Sequence, residues 1–309
     1  MVVSVNVGID PFAVDSTLMS PSIRFLAFLI TLVSSFSLWP TIARAGSPEA
    51  SDSVINDPER PVAVRLNAEL GFLAVASHRL QLGREGTYVD LRRDLGQDTL
   101  FPFARLSADL DIGRKRRHTI SLLYQPLDLR TRAVTDRDLR VEDVVFPAGT
   151  ALDFRYGFPF WRGTYLYDFL EDDREVAIGV ALQIRNANLE YAAQDGSAFR
   201  SVRDVGPVPL LAFRGRGFVH RNFWMGGEAT GFYAPIRYLN GGRSDVEGAI
   251  LDTSLRAGLA WKRGIDTYLN VRYLAGGARG TSSDPDPLSD GFNRNWLHFV
   301  AVSLGVSLR

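Results

Sequence analysis

From Val62 to Phe72 the chain alternates strictly. Val62, Val64, Leu66, Ala68, Leu70 and Phe72 interleave with Ala63, Arg65, Asn67, Glu69 and Gly71. A period of two belongs to extended chain, whose successive side chains leave opposite faces of a sheet. The same pattern returns further on. Leu106, Leu110 and Ile112 oppose Arg105, Asp109 and Asp111, and Val176, Ile178, Val180, Leu182 and Ile184 oppose Ala177, Gly179, Gln183 and Arg185. Leu255, Leu259 and Trp261 oppose Asp252, Ser254 and Arg256, and Val300–Leu308 alternates with Ala301, Ser303, Gly305 and Ser307. No stretch after Pro61 carries the helical period over a useful length, so the expected class is all-β.

Length and rhythm separate a membrane barrel from a soluble sandwich. Strands of soluble domains usually hold about five or six residues, whereas a tilted transmembrane strand needs about 9–11. The strands predicted here are 62–76, 99–113, 118–130, 150–170, 175–186, 204–214, 218–233, 249–262, 265–275 and 294–309. Short charged turns are expected at Arg114–Arg117, Glu171–Arg174, Arg214–Gly217 and Lys262–Ile265. Longer polar stretches lie near 83–98, 131–149, 186–204, 234–248 and 276–293, and the Gly83–Gly86 turn is expected to fold the first of them back as a hairpin. Alternation of short turns with long loops is the pattern of a transmembrane, up-and-down antiparallel β-barrel, here of about ten strands within a range of roughly 8–12. In the fourth strand Phe154, Tyr156 and Phe158 share one parity while Tyr165, Tyr167 and Phe169 share the other, which predicts a bulge near Pro159–Gly163. Tyr165 and Tyr167 are then expected in the periplasmic aromatic girdle.

The N-terminus carries a targeting segment. Arg24 precedes the apolar run Phe25–Trp39, and Ala43-Arg44-Ala45 supplies a small-x-small exit. This predicts a signal peptide over residues 1–45, cleaved before Gly46, with Met19 as an alternative start and an uncleaved anchor as the alternative reading. Residues 46–60 read as a flexible periplasmic leader, and 61–309 as the barrel. Zero cysteine excludes disulfides, thiolate metal sites and a cysteine nucleophile. The 35 basic and 35 acidic residues give no basic face for nucleic acid.

The whole chain after residue 45 resembles bacterial outer-membrane β-barrels. Ser303, Gly305 and Leu308 resemble the C-terminal assembly signal of that class, while Arg309 stands where a terminal aromatic is usual. The resemblance implies residence in the outer membrane of a Gram-negative bacterium. It also implies contact with outer-membrane lipids, handling by the barrel-assembly machinery, and a monomer.

Some barrels of this size are enzymes. Omptin-type proteases use an Asp-His couple, but Ala76, Arg116, Phe218 and Trp296 stand two places before the four histidines. Outer-membrane phospholipases and lipid A deacylases use His-x-Ser, but Leu80, Ile120, Asn222 and Val300 stand two places after them. His220, read as pointing into the lumen beside Asn222, is the one weak catalytic candidate. No metal site or cofactor is expected. The site of interest is a lumen lined by Arg65, Glu69, Arg105, Asp109, Asp153, Arg155, Glu228, Asp252, Arg256 and Arg272. Mixed charges brought close out of water are expected to pair across the barrel. The expected function is a non-enzymatic barrel with a mostly filled lumen and loops as its contact surface. A narrow channel for small solutes and an outer-membrane hydrolase are the alternatives.

Overall fold

The computed structural model describes residues 55–56, 60–170, 174–235, 245–281 and 289–309. In chain order the strands are β1 (Val62–Leu82), β2 (Val89–Asp90), β3 (Leu100–Ile112), β4 (His118–Gln125), β5 (Asp128–Val134), β6 (Leu139–Val141), β7 (Val144–Phe146) and β8 (Ala151–Gly157). They continue as β9 (Phe160–Asp168), β10 (Glu175–Ala193), β11 (Phe199–Phe218), β12 (Phe223–Pro235), β13 (Glu247–Ala260), β14 (Ile265–Thr281) and β15 (Phe292–Leu308). The expected signal peptide, most of the leader and most of the Glu171–Arg174 turn lie outside the described residues.

Ten strands form a closed antiparallel barrel in the order β11–β12–β13–β14–β15–β1–β3–β4–β9–β10, with β10 returning to β11. Closure leaves the ring without an edge, so its backbone groups pair internally, as a hydrocarbon surrounding demands. β5 and β8 extend β4 and β9 upward, interrupted side by side at Pro126 and Pro159. Proline cannot donate a ladder hydrogen bond, which accounts for both breaks. The Gly83–Gly86 turn does fold the chain back, pairing Leu80 with Val89.

Several boundaries differ from those predicted. β10 and β11 run on to Ala193 and from Phe199, so the expected loop over 186–204 shrinks to a tight turn. The expected turn at Arg214–Gly217 is strand, and the chain reverses instead at Val219–Asn222, where Val219 N–H and Phe223 N–H bond the Phe223 and His220 carbonyls. Charge and glycine at 214–217 mimic a turn, but those charges face the lumen and are paired there.

The fourth strand needs no change of parity. Leu152, Phe154, Tyr156, Phe160, Arg162 and Leu166 are all buried inside the ring, through β8 and β9 alike. What changes is the chemistry of each face with height. On β10 the odd residues face inward throughout: Ala177, Ala181 and Gln183 below, then Ala187, Leu189 and Tyr191 above. Outward stand Val176 to Ile184, then Asn186, Asn188 and Glu190. The inversion recurs on β3, where inward Phe101 and Phe103 give way to Arg105, and on β15, where inward Leu297, Phe299 and Ala301 give way to Ser303 and Ser307.

The lower storey is greasy outside, with Val180 at 58% and Leu304 at 71% exposure. Only hydrocarbon can cover a continuous belt of that kind favourably. His118, Tyr165, Tyr167 and Phe169 form an outward aromatic cluster at its short-turn rim, with the His118 Nδ1 2.8 Å from the Tyr165 hydroxyl. The upper storey reverses the polarity because water, not lipid, surrounds it. This is the architecture of an outer-membrane β-barrel carrying a lobe above its apolar belt.

Candidate functional site

Alternation on the lower strands sends one side chain in two into the lumen, and in the polar storey these are mostly ions and hydroxyls. Glu69 on β1 and Glu228 on β12 share two arginines. Arg105 reaches Glu69 at 3.2 Å and Glu228 at 2.9 Å, while Arg256 reaches them at 3.3 and 2.9 Å. Glu69, with its side chain 2% exposed, also accepts from Asn270 Nδ2 at 2.8 Å, Ser303 Oγ at 3.1 Å and the Tyr268 hydroxyl at 3.2 Å. Above this square, Asp252 receives Arg272 Nε at 2.6 Å and Arg162 Nη1 at 2.8 Å. Arg162 donates in addition to Gln183 Oε1 and to Thr230 Oγ1. Below it, Arg214 bonds Asp109 at 3.0 Å and also Glu175, and Arg65 bonds Asp111 at 3.3 Å. At the short-turn mouth Asp266 receives Arg216 at 2.7 Å and Arg309 at 2.8 Å.

Several of these pairs cross the barrel. In the ring order β3 and β12 stand diametrically opposite, so the Arg105–Glu228 pair spans the full lumen. Arg162 to Asp252 and Arg214 to Asp109 are chords nearly as long. Between them lies a cavity of about 40 Å³ walled by Ser121, Arg162, Thr164 and Thr230. Another, of about 30 Å³, is bordered by Arg65, Trp224 and Tyr268. One water occupies roughly 10–15 Å³ on this measure. Each has room for a few waters.

Above the ions the lumen is mostly apolar. Phe101, Phe103, Phe154, Phe160, Phe299 and Leu189 fill it as one continuous apolar core. The polar string within it is short. His78, fully buried, has Nδ1 3.1 Å from Gln97 Oε1, and Gln97 Nε2 donates to Thr131 Oγ1 at 3.0 Å. That contact assigns the ring proton to Nδ1, and Nε2 has no partner. The Tyr156 ring stands edge-on to the imidazole at 4.6 Å.

Of the ten lumen residues expected from sequence, Arg65, Glu69, Arg105, Asp109, Glu228, Asp252, Arg256 and Arg272 lie in this network. Asp153 and Arg155 do not. They face outward from β8, their side chains 47% and 41% exposed, where Arg132 and Asp128 pair with them. Their parity opposes that of Phe154, and at their height the inward face is the apolar one. His220 is not lumenal either, since it is exposed in the Val219–Asn222 turn. Asp111, on the polar face of its strand but outside those ten, joins the network, and so do Arg162, Glu175, Arg214, Arg216 and Asp266, which the sequence does not single out. Parity with Leu166 would have revealed Arg162, but Arg214 and Arg216 were hidden by their turn-like glycines.

Ser303 and Gly305 face the lumen on β15, and Leu308 ends that strand opposite Leu66 and Ile265, so the expected assembly segment closes the ring. Among the described residues no group of three His, Asp or Glu side chains is placed to hold a metal ion. The partners of His78, His118 and His298 are Gln97, Tyr165 and Tyr273, not a serine or a carboxylate.

No protein-family model matches the chain, and no curated protein matches it in sequence. Among solved structures it is similar in shape to the outer-membrane protease OmpT from Escherichia coli, at 10% identity and a TM-score of 0.48, over 82% of this chain and 99% of that one. It is also similar to a Pseudomonas aeruginosa FadL homologue, at 8% identity and a TM-score of 0.36, over 79% and 90%. The P. putida toluene transporter TodX stands at 7% identity and a TM-score of 0.33, over 82% and 91%. Protease and transporter describe those proteins.

Proposed function

We propose that this outer-membrane barrel is a closed, non-conducting and non-enzymatic scaffold whose extracellular lobe is its working surface. The Arg105–Glu228 pair carries the reading, because it spans the lumen between opposite strands beneath an apolar plug. An ion moving along the axis would have to break buried pairs, each costing about 3–5 kcal/mol when one partner is lost. It would then have to enter a mostly apolar core whose few polar groups, His78, Gln97 and Thr131 among them, are too sparse to replace its hydration. The chain reaches its place through a signal peptide cleaved after Ala45 in a Gram-negative cell, and stays monomeric.

The lobe suits contact with envelope components, other proteins or ligands. Its β10–β11 hairpin projects well above the apolar belt, with Phe199 at 62% exposure, and Val134 on β5 reaches 66%. The test is a planar-bilayer recording of the purified barrel. No discrete conductance is expected, and salt-dependent current steps would overturn the proposal in favour of a narrow channel.

A further inference from the structure

Just above the apolar belt, the outer wall formed by β1, β15 and β14 gathers cations and aromatics at adjacent register positions. Arg79 stands opposite Trp296, which stands opposite Gly277. In the next row up, Gln81 stands opposite Arg294, which stands opposite Arg279. All share the outward parity of Val300 and Val302 on β15, and of Leu269 and Val271 on β14.

Arg294 and Arg279 are direct cross-strand partners of like charge, an arrangement that ordinarily destabilises a sheet. Neither has an ion-pair partner among the described residues. Arg279 is exposed and has Glu247 as its register partner on β13, yet no ion pair joins them, and Arg294 only stacks over the Tyr88 ring at 4.6 Å. Arg79 alone is matched, by Asp90 at 3.4 Å. The contrast with β5 and β8 is instructive. There, outward Arg130, Arg132 and Arg155 each pair with Asp128 or Asp153. Among the described residues, Arg279 and Arg294 thus stand side by side on the β14–β15 wall with no ion pair to either.

Trp296 lies beneath the arginines. A Cβ on Gly277 would come within 2.7 Å of its indole, so the missing side chain lets the ring lie on the wall rather than stand off it. Tyr273 and His298 continue the aromatic surface downward, joined at 3.0 Å, to the apolar belt. From the membrane outward the wall therefore reads aliphatic, aromatic, then paired guanidinium.

We infer that this wall binds the anionic headgroup of an acylated, phosphorylated glycolipid of the outer leaflet. Arg279 and Arg294 hold a phosphate, Trp296 stacks on a sugar, and the belt below meets the acyl chains. Guanidinium forks match phosphate oxygens in geometry and charge. A phosphate between them also removes the like-charge repulsion. The site lies on the outer wall, so it stands or falls independently of whether the lumen conducts.

The full-length barrel in detergent micelles tests this by titration with three probes, followed by tryptophan fluorescence. These are bisphosphorylated lipid A, lipid A stripped of its phosphates, and inorganic phosphate. Saturable binding of the bisphosphorylated form is expected, with at least tenfold weaker binding by R279Q/R294Q, since one charge-assisted contact is worth about tenfold or more. R130Q/R132Q should bind as the parent does. Retained heat-modifiable gel migration checks folding, and R279Q alone, at an exposed position, gives the same readout at smaller amplitude. Undiminished binding by the arginine variants, or equal affinity for stripped lipid A, would overturn the inference. Equally tight binding of inorganic phosphate would also overturn it, reassigning the arginines to a free anion.

Discussion

Glu69→Gln probes the lumen at its most connected point. Glu69 accepts from Arg105, Arg256, Asn270, Tyr268 and Ser303 while almost wholly shielded from water. Glutamine keeps the shape but removes the charge, and it turns an amide N–H₂ toward groups that are themselves donors. Counting each contact to a charged acceptor at about 1.5–3 kcal/mol would give a sum near the total stability of a typical domain. That sum is too large, because the contacts converge on one group and do not add. Loss of one partner from a buried ion pair, about 3–5 kcal/mol, is the better measure. The assay is urea unfolding of the barrel in micelles, read by the heat-modifiable band. Combining Glu69→Gln with Arg105→Gln should cost less than the two singles together, because the second change removes a cation already left short of charge. A loss below about 0.5 kcal/mol, the range of ordinary surface changes, would show Glu69 to be hydrated. The filled lumen would then be wrong.

Three further outcomes are expected. Burial in the apolar core above the belt holds the His78 imidazole down at about 4, against an ordinary value near 6.5. The unfolded chain therefore takes up the proton first, so stability is full above pH 6.5 and declines by about 3 kcal/mol as pH falls toward 4. Urea midpoints between pH 7 and 4.5 should show less slope in His78→Gln, and identical slopes would refute this. Val180→Arg, placing a charge in the lipid-facing belt, should cost about 2–4 kcal/mol, whereas Glu190→Arg, outward on the same strand but above the belt, should cost little. Equal losses in folding yield would contradict the inversion of polarity along β10. Gly305→Ala should displace the Tyr268 ring, whose carbon would lie 2.2 Å from the new Cβ, and cost about 1–3 kcal/mol by overpacking. A midpoint matching the parent's would show that the ring moves aside freely.

Alternation was legible because it is local. A pleated strand sends neighbours to opposite faces whatever surrounds it, so Val176–Ile184 and Val300–Leu308 announce strands and faces, while strand length and the rhythm of short turns and long loops point to a barrel of about ten strands. The same logic picked out Glu69, Arg105, Asp252 and Arg256 as one inward set. Which face is polar is a different matter. It depends on what touches the outside of the wall at a given height, and that is settled only when strands are tilted, staggered and closed. Asp153 and Arg155 read in sequence as lumen ions like Asp109 and Arg105, yet at their height the interior is Phe154 and Tyr156. Arg214 and Arg216 looked like a turn because their partners Asp109, Glu175 and Asp266 come from distant strands. Parity belongs to the sequence. The choice of partners, the plug above the ions and the juxtaposed arginines on the outer wall belong to the closed ring, where residues far apart in the chain share one height.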